Sequence, residues 1–379
     1  MTRHIFFAGF SLTLSAALTY YVNSSFLESL VGTKQIGLIY ALSAVTTLTL
    51  ILFVPWLGRA YGLLKPIRWF GLVFFGGMLT LAISQTPIIQ LLAFVITHAM
   101  VVSLGLWLDI YLETLSSDHQ TGRIRGGYLT VINTAVLVSP YLSGTILGHF
   151  GDAGANYRII YWLSTLAALP LLYQIFFKLT PQPLPSTSLG LFTKLRDRNL
   201  RKILALDFLL NLFYFFMVIY LPLHLIHTLG FSWQNIGLIF TIMLLPFVMI
   251  EYPLGWLADR KFGEKEILSL GLITATVFTI PIAFMTTKSI AIWALVLFGT
   301  RIGASAIESM KETYLFKKVS SSDIGIISLS RLMIPLAYLV GSLSSLIFLR
   351  FFPIPYLFLL ISALFLLGLY FSLTLEDTR

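Results

Sequence analysis

The sequence contains no cysteine and few charged residues. Without cysteine the chain can form no disulfide bond, thiol nucleophile or cysteine-ligated metal site. Charged residues make up 11% of the 379 residues, against roughly a quarter in soluble domains. The sequence also lacks Gly-x-x-x-x-Gly-Lys-Ser/Thr, the loop that holds nucleotide phosphates in P-loop enzymes. These absences exclude a disulfide-stabilised scaffold and a P-loop ATPase, and they disfavour a soluble protein.

Hydrophobic residues dominate instead, at 57% of the chain with a mean hydropathy of +0.89. They form repeated runs of about 20 residues, the length that a helix needs to cross a bilayer. Membrane strands would alternate apolar and polar residues with a period of two, and these runs are continuous. The sequence therefore predicts an all-α integral membrane protein. The net charge of +9 is expected to lie in cytoplasmic loops and not to bind nucleic acid.

The apolar runs predict twelve transmembrane helices in two pseudo-symmetric six-helix bundles. The predicted spans are residues 5–27, 36–57, 67–83, 88–112, 128–150, 159–179, 203–225, 236–257, 267–285, 290–314, 324–349 and 356–375. A segment with prolines followed by basic residues separates the two sets and predicts a linker. We expect an N-terminal bundle at 1–180, a cytoplasmic linker at 181–202 and a C-terminal bundle at 203–379.

The distribution of basic residues between loops predicts the orientation. An even number of spans puts both termini on one side. If that side is the cytoplasm, only Lys34, Arg158, Lys288 and Arg350 lie on the other side, and the remaining loop lysines and arginines are cytoplasmic. The positive-inside rule favours this arrangement. We therefore expect a multi-pass protein of the plasma (inner) membrane with both termini in the cytoplasm.

Short matches between the halves indicate an internal repeat. The segment 36–40, Ile-Gly-Leu-Ile-Tyr, matches 236–240, Ile-Gly-Leu-Ile-Phe, and Asp109 and Glu113 correspond to Glu308 and Glu312. The two matches have nearly the same offset, about 200 residues, which is typical of a duplicated unit. Parallel repeats of this kind place a binding site midway between the two halves.

The turn after the eighth span combines glycines with charges at Gly255, Asp259, Arg260, Gly263 and Lys265. With twelve spans, cytoplasmic termini and a long central loop, this turn makes the whole chain resemble the major facilitator superfamily. The family's signature in this turn is approximately Gly-x-x-x-Asp-Arg-x-Gly-Arg-Arg/Lys. The resemblance implies a secondary transporter that works by alternating access, and it implies that this turn is a conformational gate.

The chain departs from the family signature at two places. Glu264 is unconventional in the second-half turn, and the first-half copy has Gly58 where the acid is expected, followed by Arg59. The gate is therefore expected to be intact in one half only. The alternative is that the turn is a solvated loop whose basic residues only set the topology, because exposed ion pairs are weak.

The fourth and tenth spans, equivalent in the repeat, carry ionisable residues. They are His98, Asp109 and Glu113 in the fourth span, and Arg301, Glu308, Lys311 and Glu312 in the tenth. Each ionisable group in the hydrocarbon costs about 2.5–3.5 kcal/mol and therefore needs a reason. Asp109 and Glu308 either carry a coupling proton, because burial favours the protonated carboxyl, or form structural ion pairs.

Arg301 lies near the middle of its span by residue count. Its guanidinium either binds a carboxylate or phosphate of the substrate through two hydrogen bonds or pairs with Asp109 or Glu251. In both cases the residue should be intolerant to loss.

Polar residues also recur in the first and seventh spans, which are equivalent in the repeat. Asn23 ends a stripe in the first span, and Asp207, Asn211 and Tyr214 share one face of the seventh. In the resembling family these helices line the central cavity. The alternative is that these residues form hydrogen bonds between packed helices.

A further group of charged residues lies toward the predicted cytoplasmic ends of the spans. We expect them to form ion pairs there: Glu113, Glu312, Lys311, Arg123, Arg125 and Arg331.

We therefore predict a secondary active transporter that moves a small organic solute, coupled to protons by symport or antiport. The alternative on the same fold is a lipid or amphiphile flippase, or a drug exporter. A membrane enzyme is disfavoured, because His98, His224 and His227 are too scattered to form a catalytic or metal site. We expect a monomer in the lipid bilayer that uses no cofactor and no metal.

Overall fold

The computed structural model describes residues 2–115, 121–150, 157–183, 196–250, 253–254, 257–258, 263–318 and 324–376. Within these residues the chain forms α-helices with short 3₁₀ and π turns and no strand. Continuous helices follow from the apolar runs, since a backbone in lipid must satisfy its own hydrogen bonds. The structure therefore confirms the predicted all-α class.

The helices are labelled in chain order. In the first half they are α1 Thr2–Tyr20, α2 Asn23–Val31, α3 Ile36–Tyr61, α4 Leu64–Ile83, α5 Pro87–Glu113, α6 Thr121–Phe150 and α7 Tyr157–Tyr173. In the second half they are α8 Arg198–Leu223, α9 Trp233–Met249, α10 Glu264–Thr279, α11 Ile290–Lys318, α12 Ile324–Phe348 and α13 Tyr356–Leu373. The first predicted span corresponds to two helices, α1 and α2. The second predicted span is therefore α3, and the numbering continues in this way to the twelfth span, which is α13.

The structure reproduces most, but not all, of the twelve predicted spans. In the described residues, ten helices are long and apolar enough to cross a membrane, and the pair α1 and α2 adds an eleventh. This pair is bent by 49°, where the sequence predicted one continuous helix. The twelfth segment, α9, is apolar but only 17 residues long. Residues 251 and 252, where the eighth span was predicted to continue, lie outside the described part of the chain.

The chain divides into two compact units, Met1–Thr187 and Ser188–Arg379. In the first unit α1 packs against α5, α6 and α7, α4 packs against α5 and α7, and α3 packs against α5. In the second unit α8 packs against α11, α12 and α13, α10 packs against α11 and α13, and α9 packs against α11. These are the same pairs when α1 is matched to α8 and α3–α7 to α9–α13. The internal repeat predicted from short sequence matches is thus present in the packing.

Among the residues that the structure describes, four glycines have positive φ angles, and they occur at equivalent places in the two units. Gly32 and Gly230 have φ of 76° and 71° and precede α3 and α9, and Gly62 and Gly263 have φ of 74° and 88°. Gly62 caps the end of α3, and Gly263 precedes α10. Glycine adopts this left-handed region without the steric cost of a Cβ atom. The turns that begin and end the second span of each unit therefore depend on glycine.

Polar contacts connect α1 to α7 inside the first unit. Ser11 donates a hydrogen bond to the carbonyl of Ala167 and accepts one from the Leu171 amide at 3.2 Å. Ser15 donates to the carbonyl of Ser164 at 2.7 Å. Pro170 lies inside α7 at this height and has no backbone N–H to donate, and Ser11 bonds a donor and an acceptor of the same turn. This part of the polar stripe of the first span joins packed helices.

Candidate functional site

Polar residues of α8 and α11 face each other inside the second unit. The contacts pair early residues of α8 with late residues of α11, so the two helices run antiparallel. The α8 residues are Asp207, Asn211 and Tyr214, spaced at i, i+4 and i+7 on one helical face. The α11 residues are Arg301, Glu308 and Lys311. We call these six residues the α8–α11 cluster.

Asp207 is the most highly connected carboxylate of the cluster, and it is 3% exposed. One carboxylate oxygen, Oδ1, forms an ion pair with Lys311 and accepts a hydrogen bond from Asn211 Nδ2 at 2.9 Å. The other oxygen, Oδ2, accepts a hydrogen bond from the Ser330 hydroxyl of α12. A buried ion pair is tolerated when its remaining hydrogen-bonding capacity is satisfied. Asp207 therefore ties α8 to both α11 and α12.

Glu308 lies next to this ion pair, one turn before Lys311 on α11. Its Oε2 atom accepts a hydrogen bond from the Tyr214 hydroxyl at 2.6 Å, and the side chain is half-buried. Lys311 already pairs with Asp207. Glu308 is therefore a second acid beside a single lysine, partly accessible and held by a neutral donor.

Arg301 is 1% exposed and lies near the aromatic rings of α8. The guanidinium carbon lies 5.1 Å from the ring centroid of Phe213 and 5.4 Å from that of Tyr214, both within cation–π range. Its Nε and Nη1 atoms are buried and have no hydrogen-bond partner in the described part of the chain. Of the two predicted acidic partners, Glu251 lies outside the described residues and Asp109 belongs to the other unit.

Asn23, the predicted site residue of the first span, is buried at the start of α2. The Tyr161 hydroxyl of α7 donates to Asn23 Oδ1 at 2.8 Å, and Asn23 Nδ2 donates to Thr19 Oγ1 at 3.4 Å. Asn23 thus connects the bend between α1 and α2 to α7. Its placement suits the helix-packing alternative.

The predicted residues of the fourth span lie on α5, in the first unit. His98 is half-buried. Its ring stacks on that of Phe94 with the ring centroids 5.6 Å apart, and it meets the ring of Tyr40 edge-on with the centroids 5.4 Å apart. Asp109 and Glu113 are half-buried further along the helix. The structure therefore places the predicted acids of the two halves on equivalent helices, each inside its own unit.

The predicted gate turn is described only at its end. Gly255, Asp259 and Arg260 lie outside the described residues. Gly263 caps the start of α10, and the Lys265 carbonyl accepts a hydrogen bond from the Ser269 hydroxyl at 2.9 Å. The gate function of this turn stays a prediction.

The residues predicted to pair at the cytoplasmic ends have different placements. Lys311 pairs with Asp207 inside the cluster. Glu312 and Arg331 are half-buried, and the side chains of Arg123 and Arg125 lie outside the described part of the chain.

Sequence reasoning did not identify Phe213, Ser330 or Tyr161 as partners of the predicted site residues. Phe213 belongs to an aromatic run in which nothing marks one ring, and Ser330 is one of many span hydroxyls. Only the packing of α8 against α11 and α12 selects Phe213 and Ser330, and only the contact of Asn23 with α7 selects Tyr161.

In the part of the chain that the structure describes, the cluster combines a buried cation that has two unpartnered donor atoms, an ion pair and an adjacent carboxyl group. Among the described residues no group of three histidine or acidic side chains could hold a metal ion. The cluster lies on helices that are long and apolar enough to span a membrane. Fold and site together define a multi-pass membrane protein of the transporter class.

Comparison with known proteins identifies the family. The model of the Major Facilitator Superfamily matches residues 5–311 and 208–379. The chain therefore belongs to the major facilitator superfamily, and it is a secondary transporter. Among curated proteins, no sequence matches the chain.

A solved structure supports the fold. The chain is similar to a crystal structure of an auto-inhibited POT family peptide transporter, with a TM-score of 0.78 and 12% sequence identity. The similarity covers 97% of this chain and 95% of that chain. At this identity the match shows a shared fold, which agrees with the predicted class.

Proposed function

We propose that the chain moves a small organic solute by proton-coupled secondary transport and that Glu308 carries the coupling proton. The observation that carries this proposal is the hydrogen bond from the Tyr214 hydroxyl to Glu308 beside the Asp207–Lys311 ion pair. These groups lie on membrane-spanning helices, where an ionisable side chain is costly and marks an ion or substrate pathway.

The charges of the trio Asp207, Lys311 and Glu308 explain why Glu308 is the proton carrier. Asp207 and Lys311 cancel each other within their ion pair. The trio is therefore neutral when Glu308 is protonated and carries one negative charge when Glu308 is ionised. Proton binding at Glu308 changes the cost of exposing this region to lipid or to water, which is the property that a coupling site requires.

Other ionisable groups lie on α11 itself and on the helices that pack against it. Glu312 lies one turn further along α11, and α9 contains no ionisable residue. The first turn of α10 contributes Glu264, which is buried, together with Lys265 and Glu266. Asp109, the equivalent of Glu308 in the first unit, is the second candidate for a coupling carboxyl.

We also propose the domain limits 1–180, 181–202 and 203–379, with both termini in the cytoplasm and a monomer as the functional form. The division between Thr187 and Ser188 falls inside the proposed linker, which supports these limits. Helix α8 begins at Arg198, so the last residues of this linker are helical.

The test uses proteoliposomes that contain a pH-sensitive dye in the lumen. Sugars, amino acids, dipeptides, organic acids and a labelled phospholipid are added separately, and solute entry and lumenal pH are recorded against protein-free vesicles. Dipeptides belong in the panel because the similar solved structure is named as a peptide transporter. Symport acidifies the lumen on solute entry, and antiport makes it alkaline.

Glu308→Gln should abolish the change in lumenal pH, since glutamine cannot carry a proton. Glu266→Gln, the same substitution at an exposed acid, is the matched control and should behave as the wild type. Solute entry without a pH change in the wild type would reject the coupling. Movement of the phospholipid alone would favour the flippase.

A further inference from the structure

We infer that the transported solute carries a carboxylate and that Arg301 is its binding group. This inference rests on the proposed transport of small organic solutes and specifies their chemical class. It is carried by the burial of Arg301, by its open donors and by the way in which its neighbours are already paired.

The guanidinium of Arg301 is buried at a high cost, and in the described residues of its own unit two of its donor atoms have no hydrogen-bond partner to offset that cost. A buried charge is stable only when it is paired and hydrogen-bonded. Arg301 is 1% exposed, and within the described part of the chain its Nε and Nη1 donors have no acceptor. Buried donors without an acceptor are rare in native proteins and point to a missing partner.

A guanidinium can hold a carboxylate through either of two forks, and the unpartnered atoms of Arg301 belong one to each fork. One fork uses Nε with Nη2, and the other uses Nη1 with Nη2, so each fork includes one of the two unpartnered atoms. A planar carboxylate matches either fork with two parallel hydrogen bonds. The missing partner is therefore best supplied by a carboxylate.

The aromatic rings of Phe213 and Tyr214 hold the guanidinium in place. Both rings lie within cation–π distance of Arg301, at 5.1 and 5.4 Å. A guanidinium that is immobilised before binding loses less conformational entropy when it binds a ligand. The aromatic contacts thus favour binding of the carboxylate without satisfying the N–H donors.

The acids of the cluster are engaged elsewhere. Asp207 accepts hydrogen bonds from Lys311, Asn211 and Ser330. Glu308 accepts from Tyr214 and lies seven residues from Arg301 on α11, about 10 Å along the helix axis. Tyr214 touches both Glu308, through its hydroxyl, and Arg301, through its ring.

This arrangement connects the anion to the proposed coupling proton. A bound carboxylate and an ionised Glu308 repel each other in a region of low dielectric. The axial spacing of Arg301 and Glu308, about 10 Å, is taken as the distance between the two carboxylates. At this separation and an effective dielectric constant of about 20, the repulsion weakens binding by about tenfold. Protonation of Glu308 removes the repulsion, so the anion and the proton bind together.

The test is a thermal-unfolding measurement on the purified full-length protein in detergent, without any gradient. The probes are acetate, benzoate and succinate. Each is compared with its own amide, which is acetamide, benzamide or succinamide, respectively. All compounds are used at concentrations of tens of millimolar, at the same pH and at an ionic strength balanced with chloride. We expect at least one carboxylate to raise the melting temperature by about 3 °C or more over its amide.

Arg301→Gln should abolish this stabilisation. Arg301→Lys keeps the charge and most of the volume but loses the planar fork, so it should also bind the carboxylate poorly. This variant replaces Arg301→Gln in the test if the glutamine variant does not fold. Arg350→Gln, at an exposed arginine, is the matched control and should respond as the wild type. No stabilisation by any of the three carboxylates, or equal stabilisation in Arg301→Gln, would overturn the inference.

Glu308→Gln separates this inference from the proposed proton coupling. If both hold, the variant binds the effective carboxylate about tenfold more tightly, because glutamine is neutral. If carboxylate binding depends on Arg301 but is unchanged in Glu308→Gln, the anion site stands and coupling through Glu308 is rejected.

Discussion

Asp207 joins three helices of the second unit through its two carboxylate oxygens. The donors are Lys311 of α11, Ser330 of α12 and Asn211 of α8 itself. The lysine side chain is only 12% exposed. The stability of this region therefore depends on keeping both charges of the ion pair or on removing both.

Asp207→Asn should lower the free energy of unfolding by about 3 kcal/mol, because it removes the carboxylate with which the buried Lys311 ammonium is paired. Lys311→Met should have a similar effect through Asp207. The double variant should lose less than the sum of the two single losses, since no unpaired charge remains. Thermal unfolding of the purified variants measures these differences, and additive losses would show that the two residues are not coupled.

At the scale of residues, the sequence predicted which groups share a face but not which groups they contact. The spacing of Asp207, Asn211 and Tyr214 placed them on one side of a helix, and the structure confirms this spacing. The partner of Asp207 is Lys311, which the sequence assigned to the cytoplasmic end. Pairing depends on the height at which antiparallel helices pack, and helix period does not contain that information.

Helices α10 and α11 approach closely at glycines. A Cβ atom at Gly303 would lie 2.4 Å from the Ala275 amide nitrogen and 2.5 Å from the Gly271 carbonyl oxygen. Backbone atoms cannot move aside as a flexible side chain can. Small residues at helix contacts are the main means by which membrane helices pack tightly.

Gly303→Ala should destabilise the protein by about 2 kcal/mol, because the helices must separate to admit the methyl group. Gly105→Ala is the matched control: apart from its chain neighbours and the nearby backbone of its own helix, no atom of the described residues lies within 4 Å of the position that its Cβ would take. The control should be neutral or slightly stabilising, since alanine favours a helix over glycine by about 1 kcal/mol. Thermal unfolding compares the two, and equal effects would contradict the close approach.

At the scale of helices, the apolar runs predicted the spans well and their interruptions poorly. The bend between α1 and α2 lies within a run that reads as one helix. Asn23 is hydrogen-bonded to Tyr161 at this bend, a contact between residues far apart in sequence. Local hydrophobicity gives the length of a span, whereas its bends depend on such distant partners.

The whole molecule consists of two copies of one packing scheme, which two short matches in sequence had indicated. The matched segments begin or lie on equivalent helices, and the positive-φ glycines recur with them. Sequence could predict the repeat because turns that require glycine and polar helix faces are encoded locally. It could not predict that the two units differ in their charged residues. Arg301 and Asp207 have no charged equivalents in the first unit, where the corresponding positions are Val102 and Phe7 or Ala8.

The proposed orientation can be tested directly because the chain has no cysteine of its own. Lys288→Cys replaces an exposed lysine in a loop, and Lys65→Cys replaces an exposed lysine in the first turn of α4. The two positions are predicted to lie on opposite sides of the membrane. In intact cells a membrane-impermeant maleimide should label Lys288→Cys, and it should label Lys65→Cys only after permeabilisation. The reverse pattern would place the termini outside the cytoplasm.

Proton coupling through Glu308 is the central claim, and a comparison of net uptake with exchange in proteoliposomes tests it most directly. The solute is the one identified by the lumenal-pH screen. Glu308→Gln should retain exchange of labelled for unlabelled solute, since exchange moves no net proton, and should lose accumulation driven by a pH gradient. Glu266→Gln should retain both. Accumulation by Glu308→Gln at the wild-type level would contradict the account.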